Sequence, residues 1–361
     1  MMKIKHLYIH VPFCRTICSY CDFCHTVYKD DIVDKWLDRL RKEFDECEDE
    51  EYETIYIGGG TPSSLSLKEL DTLLNLISNY SHKVVEYTIE INPETIDLDK
   101  VLLLKKYGIN RVSIGLESSS DKLLKLMNRH HTFLDVENVV KMFKDNGINN
   151  ISLDILYSLP TQTMSDLKKT LNDALLLDVP HLSLYSLTIE ENTIFAKKGL
   201  NKLDDELEAK MYEYIVETLK KNNYIQYEIA NFSKKGYESK HNLGYWRYED
   251  FRGLSCGSSS KINNKRYDKT RDINLYLNSD KIISEIYDLS QKDLMFEHLM
   301  MSLRTLEGLD LIDFNNRYNA NFIDIYKDAL KKNENNIIID SNHLIIKNRE
   351  ILNTILLDFL D

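Results

Sequence analysis

The chain has 361 residues, 43% hydrophobic and 29% charged, and carries a formal net charge of −12. That length predicts two or three domains and allows a core that needs neither disulfides nor a structural metal. The acidic balance argues against broad electrostatic binding to nucleic acid or to an anionic membrane.

The first residues, MMKIKHLYIHVPFC, lack the apolar run of a signal peptide. Nowhere do about 18 apolar residues follow one another, so no transmembrane segment is expected and a cytoplasmic location is. In chain order, β-rich runs fall at 6–11, 53–58, 84–91, 109–115, 149–156 and 181–187. Between them lie segments with helical spacing of apolar residues, such as 33–44 and 165–177. Ser66 and Glu69 have the spacing of a capping box and predict a helix start there. Six βα units in succession predict an α/β fold with a parallel sheet, because each parallel connection needs a crossover. Periodicity alone leaves open whether the sheet is a partial (β/α)6 TIM-type barrel or doubly wound.

Polar and glycine-rich clusters follow the strands: a cysteine loop, GGGTPSS, INPET, GLESSSD and YSLPTQT. At the carboxyl edge of a parallel sheet such loops converge on a ligand. Three segments are expected: a core at 1–225, an aromatic, Gly- and Ser-rich connecting segment at 226–285, and a C-terminal domain at 286–361. In the last, 292–306 and 320–332 read as helices and 336–341 with 343–348 as a hairpin. This is a small α+β, winged-helix-like module, expected to cover the open side of the barrel rather than to bind DNA.

Four of the six cysteines lie in 12-PFCRTICSYCDFC-24. In a reducing compartment such crowding points to a metal or cluster site rather than to disulfides. Cys14, Cys18 and Cys21 have C-x3-C-x2-C spacing, which lets one loop hold three irons of a [4Fe–4S] cluster and leaves the fourth open. Zinc is the alternative, but the two separated Cys/His pairs usual for it are missing. Cys24 reads as a fourth ligand, a nearby free thiol or part of a pocket. Cys47 and Cys256 read as small core residues.

YIHVPFCRTICSYCDF resembles the cluster motif of radical S-adenosylmethionine (SAM) proteins, in the branch that contains oxygen-independent coproporphyrinogen III oxidase and a related heme chaperone. The resemblance runs through YIGGGTPSSL, EINPETID, GINRVSIGLESSSDKLLKLMNRHHT, SLDILYSLPTQT, HLSLYSLTIEENT, YEIANFSKKGYESKHNLGYW and FEHLMMSLRTLEGLDL, nearly the whole chain. It implies a partial TIM barrel in which SAM chelates the open iron and is cleaved to a 5′-deoxyadenosyl radical, with the electron coming from a separate donor. By position Tyr8, Tyr20, Gly59, Gly60, Thr61, Glu90, Glu117, Arg129 and Asp154 are implied to line the SAM site. The family usually has Gln at position 117 and Gly at position 158, and a Gly/Ala/His-rich stretch where this chain reads GLSCGSSS.

Three features lean toward the chaperone: no extension ahead of the first strand, Phe at position 23 where the oxidase has a further cysteine, and 241-HNLGYW-246. The last resembles an HNxxYW motif associated with heme, which implies His241, Tyr245 and Trp246 as heme contacts. The expected function is binding of heme and its transfer to an apo-hemoprotein. The alternative is an oxidoreductase that decarboxylates two propionates of coproporphyrinogen III. A structural or electron-transfer iron–sulfur protein would leave the SAM positions without a task. No catalytic side chain is assigned.

Overall fold

A computed structural model describes residues 4–47, 50–340 and 342–360. Ser341, the end of one expected hairpin strand, lies outside the described residues, as do Met1–Lys3 at the start of the chain.

The six expected strands form as β1 (His6–Val11), β2 (Thr54–Gly59), β3 (Glu86–Ile91), β4 (Arg111–Glu117), β5 (Asn150–Tyr157) and β6 (His181–Ser186). They are parallel and lie side by side in chain order. A doubly wound sheet reverses direction at a switch point; this one winds in a single sense, which settles the choice for a partial barrel. Helices α1 (Asp30–Asp45), α2 (Leu67–Ser78), α3 (Leu98–Lys106), α4 (Asp121–Leu126), α5 (Phe133–Asp145) and α6 (Met164–Leu176) cross between the strands, and α7 (Asp205–Lys221) follows the sixth. The expected capping box opens α2. The Ser66 hydroxyl accepts from Glu69 N at 3.3 Å, and Ser66 N donates to the Glu69 carboxylate at 2.7 Å.

Segment 226–285 does more than connect. It belongs to the sheet through β7 (Ile225–Gln226), β8 (Asn231–Ser233), β9 (Phe251–Leu254), β10 (Ser259–Ile262), β11 (Lys265–Lys269) and β12 (Ile283–Asp288). The twelve strands run β12-β11-β10-β9-β1-β2-β3-β4-β5-β6-β8-β7. Strand β9 is parallel to β1, while β10 to β12 fold back antiparallel. Their sequences, SSKI, KRYDK and ISEIYD, carry few buried apolar residues, and β12 is exposed throughout. Backbone pairing rather than a hydrophobic face holds them, so alternation does not announce them. Helices α8 (Lys240–Trp246) and α9 (Ile273–Asn278) lie within the same segment.

Two residues explain departures noted in the sequence. Ser158 has φ 61°, a left-handed conformation suited to glycine, and its hydroxyl donates to Glu208 at 3.0 Å. Ser255 has φ 81°, donates its N–H to Glu43 at 3.0 Å and receives the indole N–H of Trp36 at 2.7 Å. In both, a side-chain hydrogen bond offsets backbone strain of order 1–3 kcal/mol.

The C-terminal module has its own buried cluster. Its order is α10 (Gln291–Ser302), β13 (Leu309–Asp310), α11 (Leu311–Tyr318), α12 (Phe322–Ile325), α13 (Lys327–Lys332), β14 (Ile337–Asp340), β15 (His343–Ile346) and α14 (Leu352–Leu357). The strands pair as β13-β15-β14. The single helix expected over 320–332 divides at Tyr326, which takes φ −103° and ψ 24°. Helix α11, which was not expected, is set by Asp310, whose carboxylate accepts from Ile312 N and Asp313 N. Phe314 sits at the centre, with ring contacts at 4.8 Å to Tyr318 and 5.0 Å to Phe322. Replacing it with alanine should cost about 3–5 kcal/mol. Chemical unfolding of Phe314→Ala against the native chain will measure this, and a loss below about 1 kcal/mol would show that the cluster does not hold the module together.

Candidate functional site

The loops at the carboxyl ends of the strands enclose a cavity of about 1180 Å³. Cys14, Cys18 and Cys21 line it on one side, and Glu90, Arg111, Glu117, Arg129 and Asp154 line its interior. The cysteine loop is held by its backbone: Thr26 N donates to Pro12 O at 2.7 Å, and Tyr28 N to Cys14 O at 3.0 Å. Ser19 N donates to Met127 O at 2.9 Å, and the Asn128 amide to Ile17 O at 2.8 Å, which ties the loop to the end of α4.

The end of β2 carries no side chain because there is no room for one. A Cβ on Gly60 would meet Val11 O at 2.9 Å and Cys14 Sγ at 3.0 Å, and one on Gly59 would meet the His10 ring at 2.6 Å. Gly59 N–H donates to Glu90 at 3.0 Å and the Tyr56 hydroxyl donates to the same carboxylate at 2.8 Å. On the neighbouring strands the Ser113 hydroxyl donates to Asp154 at 2.9 Å. Strand β4 ends in a bulge that leaves Glu117 at φ 58° and brings its carboxylate within 3.6 Å of the Arg129 guanidinium. Arg129 also donates to Gly115 O at 3.1 Å and places Nη1 3.5 Å from Cys18 Sγ, and its Nε is unpaired among the described residues.

Cys14, Cys18 and Cys21 all line the cavity, and burial pushes the Cys14 and Cys21 thiols up to about 11 and about 12. Such thiols keep their protons until a metal displaces them. Among the described residues no three His, Cys, Asp or Glu side chains are arranged around a single metal ion. A cube makes a different demand, one thiolate on each of three irons. Tyr8, Tyr20, Gly59, Gly60, Thr61, Glu90, Glu117, Arg129 and Asp154 all line the same cavity.

Helix α8, which carries HNLGYW, packs against the amino ends of β2 and β3, and its His241, Asn242 and Tyr245 line the same cavity. The Glu86 carboxylate, at the start of β3, accepts from His241 N and Lys240 N at 2.9 Å each. The His241 ring is 1% exposed and both nitrogens are engaged, Nδ1 with Thr54 Oγ1 at 2.7 Å and Nε2 with the Tyr245 hydroxyl at 2.8 Å. Binding iron at either nitrogen would break one of these buried hydrogen bonds. Tyr245 lines the cavity floor, and Trp246 is not part of the lining.

Three further residues, Arg111, Phe23 and His25, join the lining through the fold. Arg111 is 2% exposed, and its Nε has no hydrogen-bond partner among the described residues. Phe23, 69% exposed, stands at the mouth. His25 holds Nδ1 2.7 Å from Phe23 O, and no hydrogen bond to its Nε2 is formed among the described residues.

Burial raises Glu90 to about 7 and Asp154 to about 6. Each binds its proton more tightly folded than unfolded, so the cofactor-free protein loses stability as pH rises from the ordinary carboxyl range toward 7. Glu90→Gln should remove on the order of 2 kcal/mol of that slope. Urea midpoints at pH 4.5 and 7.5 for both proteins will test it; parallel pH dependences would show that Glu90 ionises freely.

Residues 8–174 match the model of the Radical SAM superfamily, and residues 289–352 match that of the HemN C-terminal domain. The chain is 35% identical to the heme chaperone HemW of Lactococcus lactis, over 100% of this chain and 98% of that protein. It is 34% identical to HemW of Bacillus subtilis, over 91% and 90%, and to HemW of Escherichia coli, over 85% and 84%. The structure of coproporphyrinogen III oxidase (HemN) from Escherichia coli shares its fold, with a TM-score of 0.86 over 99% of this chain and 90% of that one at 19% identity. With its cysteine loop, glycine-ended second strand and full-length similarity to these relatives, the chain belongs to the HemW family of radical SAM proteins.

Proposed function

We propose that this protein binds a [4Fe–4S] cluster through Cys14, Cys18 and Cys21, binds SAM beside it, and carries heme for delivery to an apo-hemoprotein. The relatives named heme chaperone support the last step. The observation that carries the reading is the cavity. At about 1180 Å³ it exceeds the roughly 300–1,000 Å³ of a pocket for one small ligand, and it opens past the cofactor residues to an aromatic mouth at Phe23 and Tyr185.

When bound, the cluster and SAM supply one-electron chemistry. The chain's own groups do the positioning. The polar interior offers Glu90 and Asp154 as acceptors for hydroxyl groups, and the Arg129 guanidinium, already turned toward Cys18, offers N–H donors to a carboxylate. Gly59 and Gly60 let a ligand approach backbone rather than side chain. Near the mouth, the His25 Nδ1–H donates to Phe23 O, which leaves the lone pair on Nε2, the tautomer an imidazole needs to bind iron through that nitrogen.

Cys14→Ala should abolish the [4Fe–4S] absorption after anaerobic reconstitution; a full cluster in that variant would overturn the ligand assignment. In heme titrations His25→Ala should weaken binding about tenfold or more, whereas His241→Ala should lower stability and leave heme affinity unchanged. The reverse pattern would return the ligand to α8. The reading as a whole is tested with SAM, reductant and coproporphyrinogen III under anaerobic conditions. Stoichiometric decarboxylation would make the protein an oxidase; its absence, with heme bound and passed to an apo-hemoprotein, is the expected result.

A further inference from the structure

Arg111 opens β4, and its place in the strand sends it inward. Arg111, Ser113 and Gly115 line the cavity, whereas Val112, Ile114 and Leu116 belong to the apolar core on the other face. Tyr8, Tyr56, Thr88 and Arg111 are successive partners in register across β1 to β4, so they form one row on the inner face. Much of that row is ring surface: Tyr8 and Tyr56 both line the cavity, with ring centroids 6.2 Å apart.

The other buried cations have partners. Arg129 lies 3.6 Å from Glu117, Lys261 lies 2.7 Å from Asp250, and Lys100 donates to Ser63 O and Thr95 O at 2.8 and 2.7 Å. Arg111 forms no ion pair and no hydrogen bond among the described residues. The carboxylates of the flanking strands are committed elsewhere: Glu86 to the start of α8, Glu90 to Tyr56 and Gly59 N, and Asp154 to Ser113. Asn150, the register partner on β5, also leaves Oδ1 unpaired. A neutral amide accepts only part of a guanidinium's donor set and leaves the charge unbalanced. Burial of a cation in that state is costly, and an anion brought from outside offsets the cost. The planar fork of a guanidinium matches a carboxylate, which accepts two parallel N–H bonds from it.

We propose that Arg111 is a binding site for a carboxylate borne by a ligand of the cavity, with the ligand's apolar body against the Tyr8 and Tyr56 rings. On heme that group is a propionate; a small free acid with an apolar body offers the same chemistry. The site does not depend on heme binding, and only the propionate assignment rests on that reading.

The full chain, loaded with its cluster and kept anaerobic, is titrated with heme and with heme dimethyl ester, as the native protein and as Arg111→Met. The native chain should bind heme about tenfold or more tightly than the ester. Arg111→Met should bind the two alike, and the ester as well as the native chain does. Melting midpoints are measured in parallel with 3-phenylpropanoate and with the neutral 3-phenylpropanamide. The acid alone should raise the native midpoint, and neither compound should move that of Arg111→Met. If heme does not bind and the acid still stabilises only the native chain, the site stands with a free acid as its ligand, and the heme reading falls. Heme bound equally well by both chains, with no shift specific to the acid, overturns the site and leaves the heme reading intact. An acid preference that Arg111→Met keeps places the carboxylate elsewhere and also overturns it. Should Arg111→Met fail to fold, Arg111→Lys retains the charge without the fork and should show a reduced preference for acid over ester; an unchanged preference rejects the assignment.

Discussion

Everything at the site depends on how closely the ends of β1 and β2 approach. Their register pairs Val11 with Gly59, and the next residue, Gly60, donates its N–H to Val11 O at 2.8 Å. A side chain there would push against Cys14 and the turn at Pro12. The absence of a Cβ therefore fixes where the cysteine loop leaves the sheet. It also lets Gly59 N–H reach Glu90 on the third strand, so one backbone segment positions both the thiol and the carboxylate.

From that point outward the site is assembled by neighbours in register. Glu90, Ser113 and Asp154 stand on three adjacent strands, with Glu90 paired to Ser113 and Gly115 to Asp154. The bulge after Gly115 turns Glu117 toward Arg129, which bridges back to Cys18. Burial then holds the carboxyls above their ordinary range until a ligand brings donors to them. The polar interior is thus matched to a partner rich in hydroxyl and ammonium groups, and it is an unfavourable place for carboxylates without one.

Much of this was legible in the sequence. The barrel strands are apolar runs bounded by turn residues, and the cysteine spacing and the glycine run are local. The Ser66–Glu69 box is local too, and the strands and the box form as expected. What the sequence concealed depends on distant partners. His241 has the residue type of a metal ligand, but Thr54, 187 positions away, and the Tyr245 hydroxyl occupy its nitrogens. Strands β10 to β12 extend an existing sheet edge and need no apolar face. Asp310 starts α11 from a position that reads equally well as a turn. The unusual residues at 158 and 255 look like losses of glycine until their hydrogen bonds to Glu208 and Trp36 are seen.

Helix α8 has a consequence for how damage spreads. It seats its first turn on Glu86 and its histidine against Thr54, while His241, Asn242 and Tyr245 also form part of the cavity wall. A substitution that loosens the helix from β2 or β3 therefore reshapes the cavity as well as weakening the fold, and the two effects travel together.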